Sequence, residues 1–459
     1  MASNVENGDS ARDVGRRDVL AGGVAGAGFG AVLLARRATA QTSETAAAPA
    51  APPYVPPYVP KPAPTKYIFK IAETELNPDG EKTIAGIAVN GLFPGPEIRM
   101  TEGDMFRAQV ENHLENEDTS LHWHGLLVPA VIDGVPDVAH KAIRPKQIQV
   151  FEFPLRQSGT YWYHSHSGLQ EQVGFAGPLI IEANDEIVDY DREHTILLSD
   201  WLHDDVETVF EELKQGEEVP ADMPMAPDLS DVKYPSFLMN GRGNRTTWTG
   251  MVAAGERVRL RIIGAGASTL FRVMVAEHKM TLSHVDGLAV QPLEIDNLLI
   301  GMGETYDVVV TIQRPGAFTI HAMAQDGSGQ AIGVLHTADA EPVADFSIPQ
   351  WGPAALRYAD IRALEPTLLP DGPLREIKMT LTGNMARYEW GIDNQLYPNA
   401  EPYFIKEGER VRVVMENATS MWHHASPRTF LPLARTRYGC RSSAPEAHRE
   451  HRAEGDFGV

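Results

Sequence analysis

Cysteine is nearly absent: Cys440 is the single one in 459 residues. One thiol cannot bridge with itself, so an internal disulfide is excluded. Basic charge is also scarce. Forty Lys and Arg face 62 Asp and Glu, giving a net charge of −22. Neutralising a polyanion requires clustered cations, so this balance argues against a nucleic-acid partner. Long hydrophobic runs are missing too. The longest, Leu20 to Ala35, is rich in Gly and lies near the N-terminus. With a mean hydropathy of −0.24, a polytopic membrane protein is ruled out.

What is present begins with an address. Arg16 and Arg17 precede the weakly apolar stretch, and Ala38-Thr39-Ala40 supplies small residues for cleavage. This is the layout of an export signal of the twin-arginine kind over residues 1–40. The chain is therefore expected in the periplasm or outside the cell, with no stable membrane anchor once the signal is removed. Residues 41–65 are dominated by Ala and Pro and read as an extended linker.

Beyond that point, short alternating or β-branched runs bounded by Gly, Pro and Asn predict strands. Examples are Gln147 to Phe153, Arg257 to Ile262 and Val411 to Met415. Only Asp204 to Lys214 reads as a helix. The fold class is all-β. One unit also recurs: Glu102-Gly103-Asp104 reappears as Ala254-Gly255-Glu256 and as Glu407-Gly408-Glu409, each leading into a strand. Asn90-Gly91 is matched by Asn240-Gly241 and then by Asn394. Ser158-Gly159-Thr160 through His164 is matched by Pro315-Gly316-Ala317 through His321. Ordered markers at a nearly constant offset predict three related β-sandwich domains.

Two motifs carry chemistry. Leu121-His122-Trp123-His124-Gly125 and Tyr163-His164-Ser165-His166-Ser167 each place two histidines two residues apart. On a strand, that spacing sends both imidazoles to one face. Forty residues separate the pairs, so neighbouring strand ends can converge four imidazoles, a donor set suited to Cu, Zn, Fe or Ni. His278, His284 and His321 are isolated and read as ordinary core or surface histidines. Gly264-Ala265-Gly266 lacks the following helix and the full fingerprint of a dinucleotide loop.

The two histidine motifs, with Asp133-Gly134-Val135-Pro136, Gln170-Glu171-Gln172 and Gly177-Pro178-Leu179, resemble the first two copper signatures of multicopper oxidases. The flanking residues resemble the bacterial laccase-like and copper-resistance branch. The resemblance spans roughly Tyr67 to His423. It implies tandem cupredoxin-like (Greek-key β-sandwich) domains and four copper ions in the intact family. It also implies oxidation of a small-molecule or metal-ion reductant, phenolic or otherwise, coupled to reduction of dioxygen to water. Carried over, His122 would bind the type 2 copper, and His124, His164 and His166 the type 3 pair. Asp133 resembles the acidic residue that helps deliver protons; an Asp before Gly also suits a plain turn.

The third copy departs from the family pattern. Met421-Trp422-His423 matches the approach to the motif His-Pro-x-His-Leu-His-Gly-His, with His423 as a type 1 ligand, but His424-Ala425-Ser426-Pro427 does not continue it. Shifting the codons for His424 through Pro432 forward by one base permits Met-His-Leu-His-Gly-His-Phe-Phe. The expectation is a frameshift near His423 and an out-of-frame tail, poor in strand patterning and disordered. Cys440, without a flanking His, is not read as the type 1 ligand.

The expected organisation is cupredoxin domain 1 at 66–185, domain 2 at 190–340, a linker at 341–375, the start of domain 3 at 376–423 and the aberrant tail at 424–459. Two domains are complete and the third is not. With those ligands missing, fewer than four coppers and no turnover are expected. The competing expectation is an exported copper-binding protein without catalysis. Copper nitrite reductase is a weaker fit, having a two-domain plan.

Overall fold

The computed structural model describes residues 67–136, 140–216, 230, 232–365, 372–384, 388–396, 398–406, 408–419 and the strand 455–458. The expected signal and linker, and His423, His424 and Cys440, lie outside the described residues.

Eight strands build the first sandwich: β1 (Tyr67–Leu76), β2 (Ile84–Val89), β3 (Ile98–Thr101), β4 (Met105–Asn112), β5 (His122–His124), β6 (Ile148–Pro154), β7 (Gly159–His164) and β8 (Ala176–Glu182). They form two four-stranded sheets, ordered β2-β1-β4-β6 and β3-β8-β7-β5. Strand β4 shows why. Phe106, Ala108, Val110 and Asn112 are buried while the residues between them are partly exposed, so every second side chain enters the core. Phe106, Trp123, Phe151 and Phe153 pack there edge-on or tilted, with the Phe106 and Trp123 ring centroids 4.9 Å apart. Strand β7 is buried along its whole length. Tyr161 and Tyr163 belong to the first core, while Trp162 packs with Ala176, Leu197, Ile263 and Ala265 toward the second sandwich.

The second sandwich has a six-stranded sheet in the order Ser236–Met239, Arg192–Trp201, Arg257–Gly264, Thr305–Thr311, Met280–Val285, Leu288–Ile295. Facing it is a five-stranded sheet: Trp248–Val252, Gln330–Thr337, Ala317–Ala324, Phe271–Val275, Leu298–Ile300. Helix α1 runs Val206–Gln215, two residues later at its start than the sequence pattern suggests, because Asp205 caps it by accepting from the Thr208 N–H. A third sheet orders Gln395–Leu396, Glu389–Ile392, Leu374–Asn384, Arg410–Asn417 and Gly455–Gly458. The last strand is a departure from the expected featureless tail: its backbone pairs antiparallel with Arg410–Asn417.

The repeat is physical. Each copy opens with a parallel strand pair, aligned at Tyr67 with Ala108, His194 with Leu260, and Ile377 with Val413. Gly103, Gly255 and Gly408 all have φ between 78° and 90°, a left-handed turn that favours glycine. Asn90 accepts from the Lys70 N–H through its side chain and donates back to Ile68 O; Asn240 does the same to Leu197 and Thr195. In the third copy this role belongs to Asp393, which accepts from the Thr380 N–H at 2.7 Å. The sequence match to Asn394 is thus off by one: Asn394, at φ 61°, takes the place of Gly91 and Gly241.

A buried charge cluster joins the first two sandwiches. Asp307 accepts from Thr160 Oγ1 at 2.7 Å, from Arg259 Nη2 at 2.6 Å and from Arg261 Nη1 at 3.3 Å. Asp307, Arg259 and Arg261 are each at most 2% exposed. Glu186 and Glu193 complete the arginines' partners at 2.7 and 2.9 Å.

Candidate metal centre

Strand alternation places the histidines as the spacing predicts. In β5, Trp123 is fully buried in the first core, so its neighbours His122 and His124 share the opposite face. β5 pairs antiparallel with β7, setting His122 opposite His164 and His124 opposite Trp162. His166 lies just beyond the end of β7. Ring centroids of His122 lie 5.3 Å from His124, 5.4 Å from His164 and 5.2 Å from His166; His164 and His166 are 5.1 Å apart. All four imidazoles converge.

Ring orientation is set by hydrogen bonds. His122 Nδ1 lies 2.7 Å from the Asp133 carbonyl oxygen and 3.3 Å from its carboxylate. His164 Nδ1 lies 2.8 Å from Ser165 O and 3.5 Å from the Glu171 carboxylate. A ring donating from Nδ1 presents an unprotonated Nε2. His124 Nδ1 faces His164 Nε2 at 3.0 Å. Burial depresses the His122 pKa, outweighing the opposing pull of Asp133. The neutral ring, the form a metal needs, is thereby favoured.

A polar collar holds the two histidine segments together. Gln170, 3% exposed, accepts from Thr119 Oγ1 and Ser165 Oγ, both at 2.7 Å, and donates to Asp118 O. Ser120 Oγ accepts from the His166 N–H at 2.9 Å. Behind the rings, Trp162 stacks on His164 with centroids 4.1 Å apart and on His124 at 5.0 Å. Gly134 (φ 81°) closes the Asp133 turn; a Cβ there would lie 1.8 Å from Leu121 O.

The donor set fits a first-row transition metal. Single nitrogens of His122, His164 and His166 all lie within 4.8 Å of one another, and metal–imidazole bonds of about 2 Å separate two ligands of one ion by at most ~4 Å. At this spacing the nitrogens suit ligands of one ion or of closely neighbouring ions. The acidic groups nearby, Asp133 and Glu171, meet ring Nδ1 atoms, the supporting role that carboxylates and carbonyls play at metal-bound histidines.

The other histidines stand apart. His278 Nδ1 is bound to Ala276 O, His321 to Gln330 and His284 to Arg259 and Ser283. His203 pairs with buried Asp79, which also accepts from Ser236. Gln170, Trp162 and Gly134 are parts of the site that motif reading flanked without assigning. Their roles depend on partners outside their own segments: Thr119 and Asp118 for Gln170, His124 for Trp162 and Leu121 for Gly134. Among the described residues, no helix is long and apolar enough to cross a membrane.

Known proteins resemble this chain in sequence and fold. Two family profiles described as multicopper oxidase match residues 70–186 and 192–348. A copper resistance protein A homolog from Pseudomonas syringae pv. tomato is 32% identical over 78% of this chain and 81% of its own. The multicopper oxidase MmcO from Mycobacterium tuberculosis is 32% identical over 76% and 73%. Among solved structures, the laccase from Botrytis aclada superposes with a TM-score of 0.64 at 25% identity, covering 77% of this chain and 71% of that one. Fet3p, a multicopper oxidase that functions in iron import, reaches 0.68 at 22%, covering 76% and 72%, a likeness of fold. The nearly all-β architecture is the cupredoxin architecture of those enzymes. Two matching family profiles, a shared fold and sustained identity agree: this chain belongs to the multicopper oxidases, copper-dependent oxidoreductases that act on reducing substrates and dioxygen.

Proposed function

We propose that His122, His124, His164 and His166 are the first sandwich's share of the copper cluster at which a laccase-like oxidase reduces dioxygen to water. The observation that carries this reading is the convergence of four imidazoles, two of them turned by backbone carbonyls so that Nε2 faces the cluster. His122 would hold the type 2 ion and the other three would hold the type 3 pair. Copper bound there would supply one-electron redox chemistry. The chain's own residues do the rest: Asp133 and Ser165 orient the rings, burial keeps His122 neutral, and the Asp133 carboxylate is placed to hand on protons.

The reductant is a phenol or a metal ion. Residues 1–40, with Arg16 and Arg17, direct export to the periplasm or beyond. His423 is a type 1 ligand. As residues 424–459 read, the His-Leu-His-Gly-His run is replaced, so this chain binds fewer than four coppers and does not turn over. Sequencing the gene across codon 423 tests the frameshift: no shifted frame encoding that run refutes it.

The test of the site is copper content by elemental analysis after loading and desalting. Wild-type chain retains copper, and His122→Ala combined with His164→Ala loses most of it. Equal retention by both proteins overturns the assignment. Oxygen uptake with phenolic and metal-ion reductants then reads turnover; residual copper-dependent uptake would refute the expected inactivity.

A further inference from the structure

The second sandwich donates no histidine to the cluster among the described residues, yet it touches one. Gly303 lies in the turn between Leu298–Ile300 and Thr305–Thr311. A Cβ built on it would fall 2.8 Å from Cε1 and 2.9 Å from Nε2 of His124, but 3.9 Å from Nδ1. Real side chains do not approach that closely. The missing side chain therefore leaves room for the outer edge of this ring.

The turn has little freedom to retreat. The Gly303 N–H donates to Gly264 O at 2.7 Å, and the Gly264 N–H donates to Glu304 O at 2.9 Å. The Glu304 carboxylate accepts from the Gly301 N–H at 2.6 Å and from the Tyr358 hydroxyl at 2.5 Å. Gly264 ends the strand Arg257–Gly264, in the middle of the second sandwich's larger sheet. His124 is confined on its other sides as well. Trp162 stacks on its face at 26°, and His164 Nε2 lies 3.0 Å in front of Nδ1. A ring held by one face and one edge keeps one nitrogen directed inward.

We propose that Gly303 is a positioning residue for His124: its bare backbone lets the second sandwich buttress the Nε2 edge, so that Nδ1 is the nitrogen presented to copper. The inference rests on reading the four histidines as a copper site. It gives the second sandwich a part in metal binding beyond joining the domains.

The test must separate ring displacement from backbone strain, because Gly303 has φ 83° and any side chain is strained there. Gly255 supplies the control. Its φ is 90°, and a Cβ there meets nothing within 4 Å. Gly303→Ala, Gly303→Asn and Gly255→Ala are prepared in the full chain; Asn tolerates the left-handed region and protects against loss of fold. Each is loaded with Cu(II) and examined by copper content, electron paramagnetic resonance and thermal unfolding. Both alanine variants should lose similar stability without metal. Only the Gly303 variants should bind copper at least tenfold more weakly or with altered hyperfine splitting. Copper binding and spectra in Gly303→Asn equal to those of Gly255→Ala overturn the inference alone. Failure of the wild-type chain to bind copper through His122 and His164 overturns the copper reading, and the inference with it.

Discussion

The carbonyl oxygen of Asp133 lies 2.7 Å from His122 Nδ1, nearer than the residue's own carboxylate at 3.3 Å. The main chain, rather than the acid, is placed to fix this ring's tautomer. Asp133→Asn should therefore cost much less copper affinity than the ~10–100-fold typical of losing a ligand's supporting partner. Competition against a chelator measures it. A loss of that full size would assign the orienting role to the carboxylate.

Gly134 shows why the turn after Asp133 is built as it is. A Cβ there would stand 1.8 Å from Leu121 O, the residue that leads into β5. Gly134→Ala has to push β5 away or open the turn, and either displaces His122. We expect a destabilisation of about 3 kcal/mol or more, with loss of copper retention, read by urea unfolding and metal analysis. A variant within ~1 kcal/mol of wild type would show that the turn yields easily.

The local part of this architecture was legible in the residues. Period-two spacing put His122 with His124 on one face of β5, because Trp123 between them is drawn into the core. The glycines at 103, 255 and 408 marked a turn that recurs for a conformational reason. What eluded the pattern was substitution within a conserved role. Asp393 replaces Asn90 and Asn240 because a carboxylate oxygen accepts a backbone N–H as well as an amide oxygen does. Contacts between sandwiches were also hidden. Nothing near Gly303 in the sequence announces His124, 179 positions earlier, and Gln170 reveals its two serine and threonine partners only after folding.

Asp307 is the shared partner of two arginines that are 2% exposed. Removing it leaves two buried guanidinium groups with Glu186 and Glu193 as their remaining carboxylate partners. Asp307→Ala should cost about 3–5 kcal/mol, as breaking one side of a buried ion pair does. Replacing the cluster together, with Asp307→Leu, Arg259→Met and Arg261→Met, should recover a good part of that loss, since the unpaired charges go too. Urea unfolding of both variants decides. Equal destabilisation would mean that packing, not charge, dominates this joint.

His284 sits in the same cluster, with Nδ1 3.3 Å from Arg259 Nη2. Burial lowers its pKa below the ordinary 6.5, and Arg259 and Arg261 push the same way against Asp307 and Glu186. The sign follows. Between pH 6.5 and the lower native value, the unfolded chain holds a proton on this imidazole that the folded chain refuses. Stability is therefore highest above pH 6.5 and declines as pH falls through that window, by at most ~1.4 kcal/mol per pH unit for this group. His284→Gln, which cannot be protonated, should unfold with a shallower loss of Tm between pH 7 and pH 5 than wild type, in metal-free protein. Parallel profiles for the two would show that His284 takes up its proton equally in the folded and unfolded states.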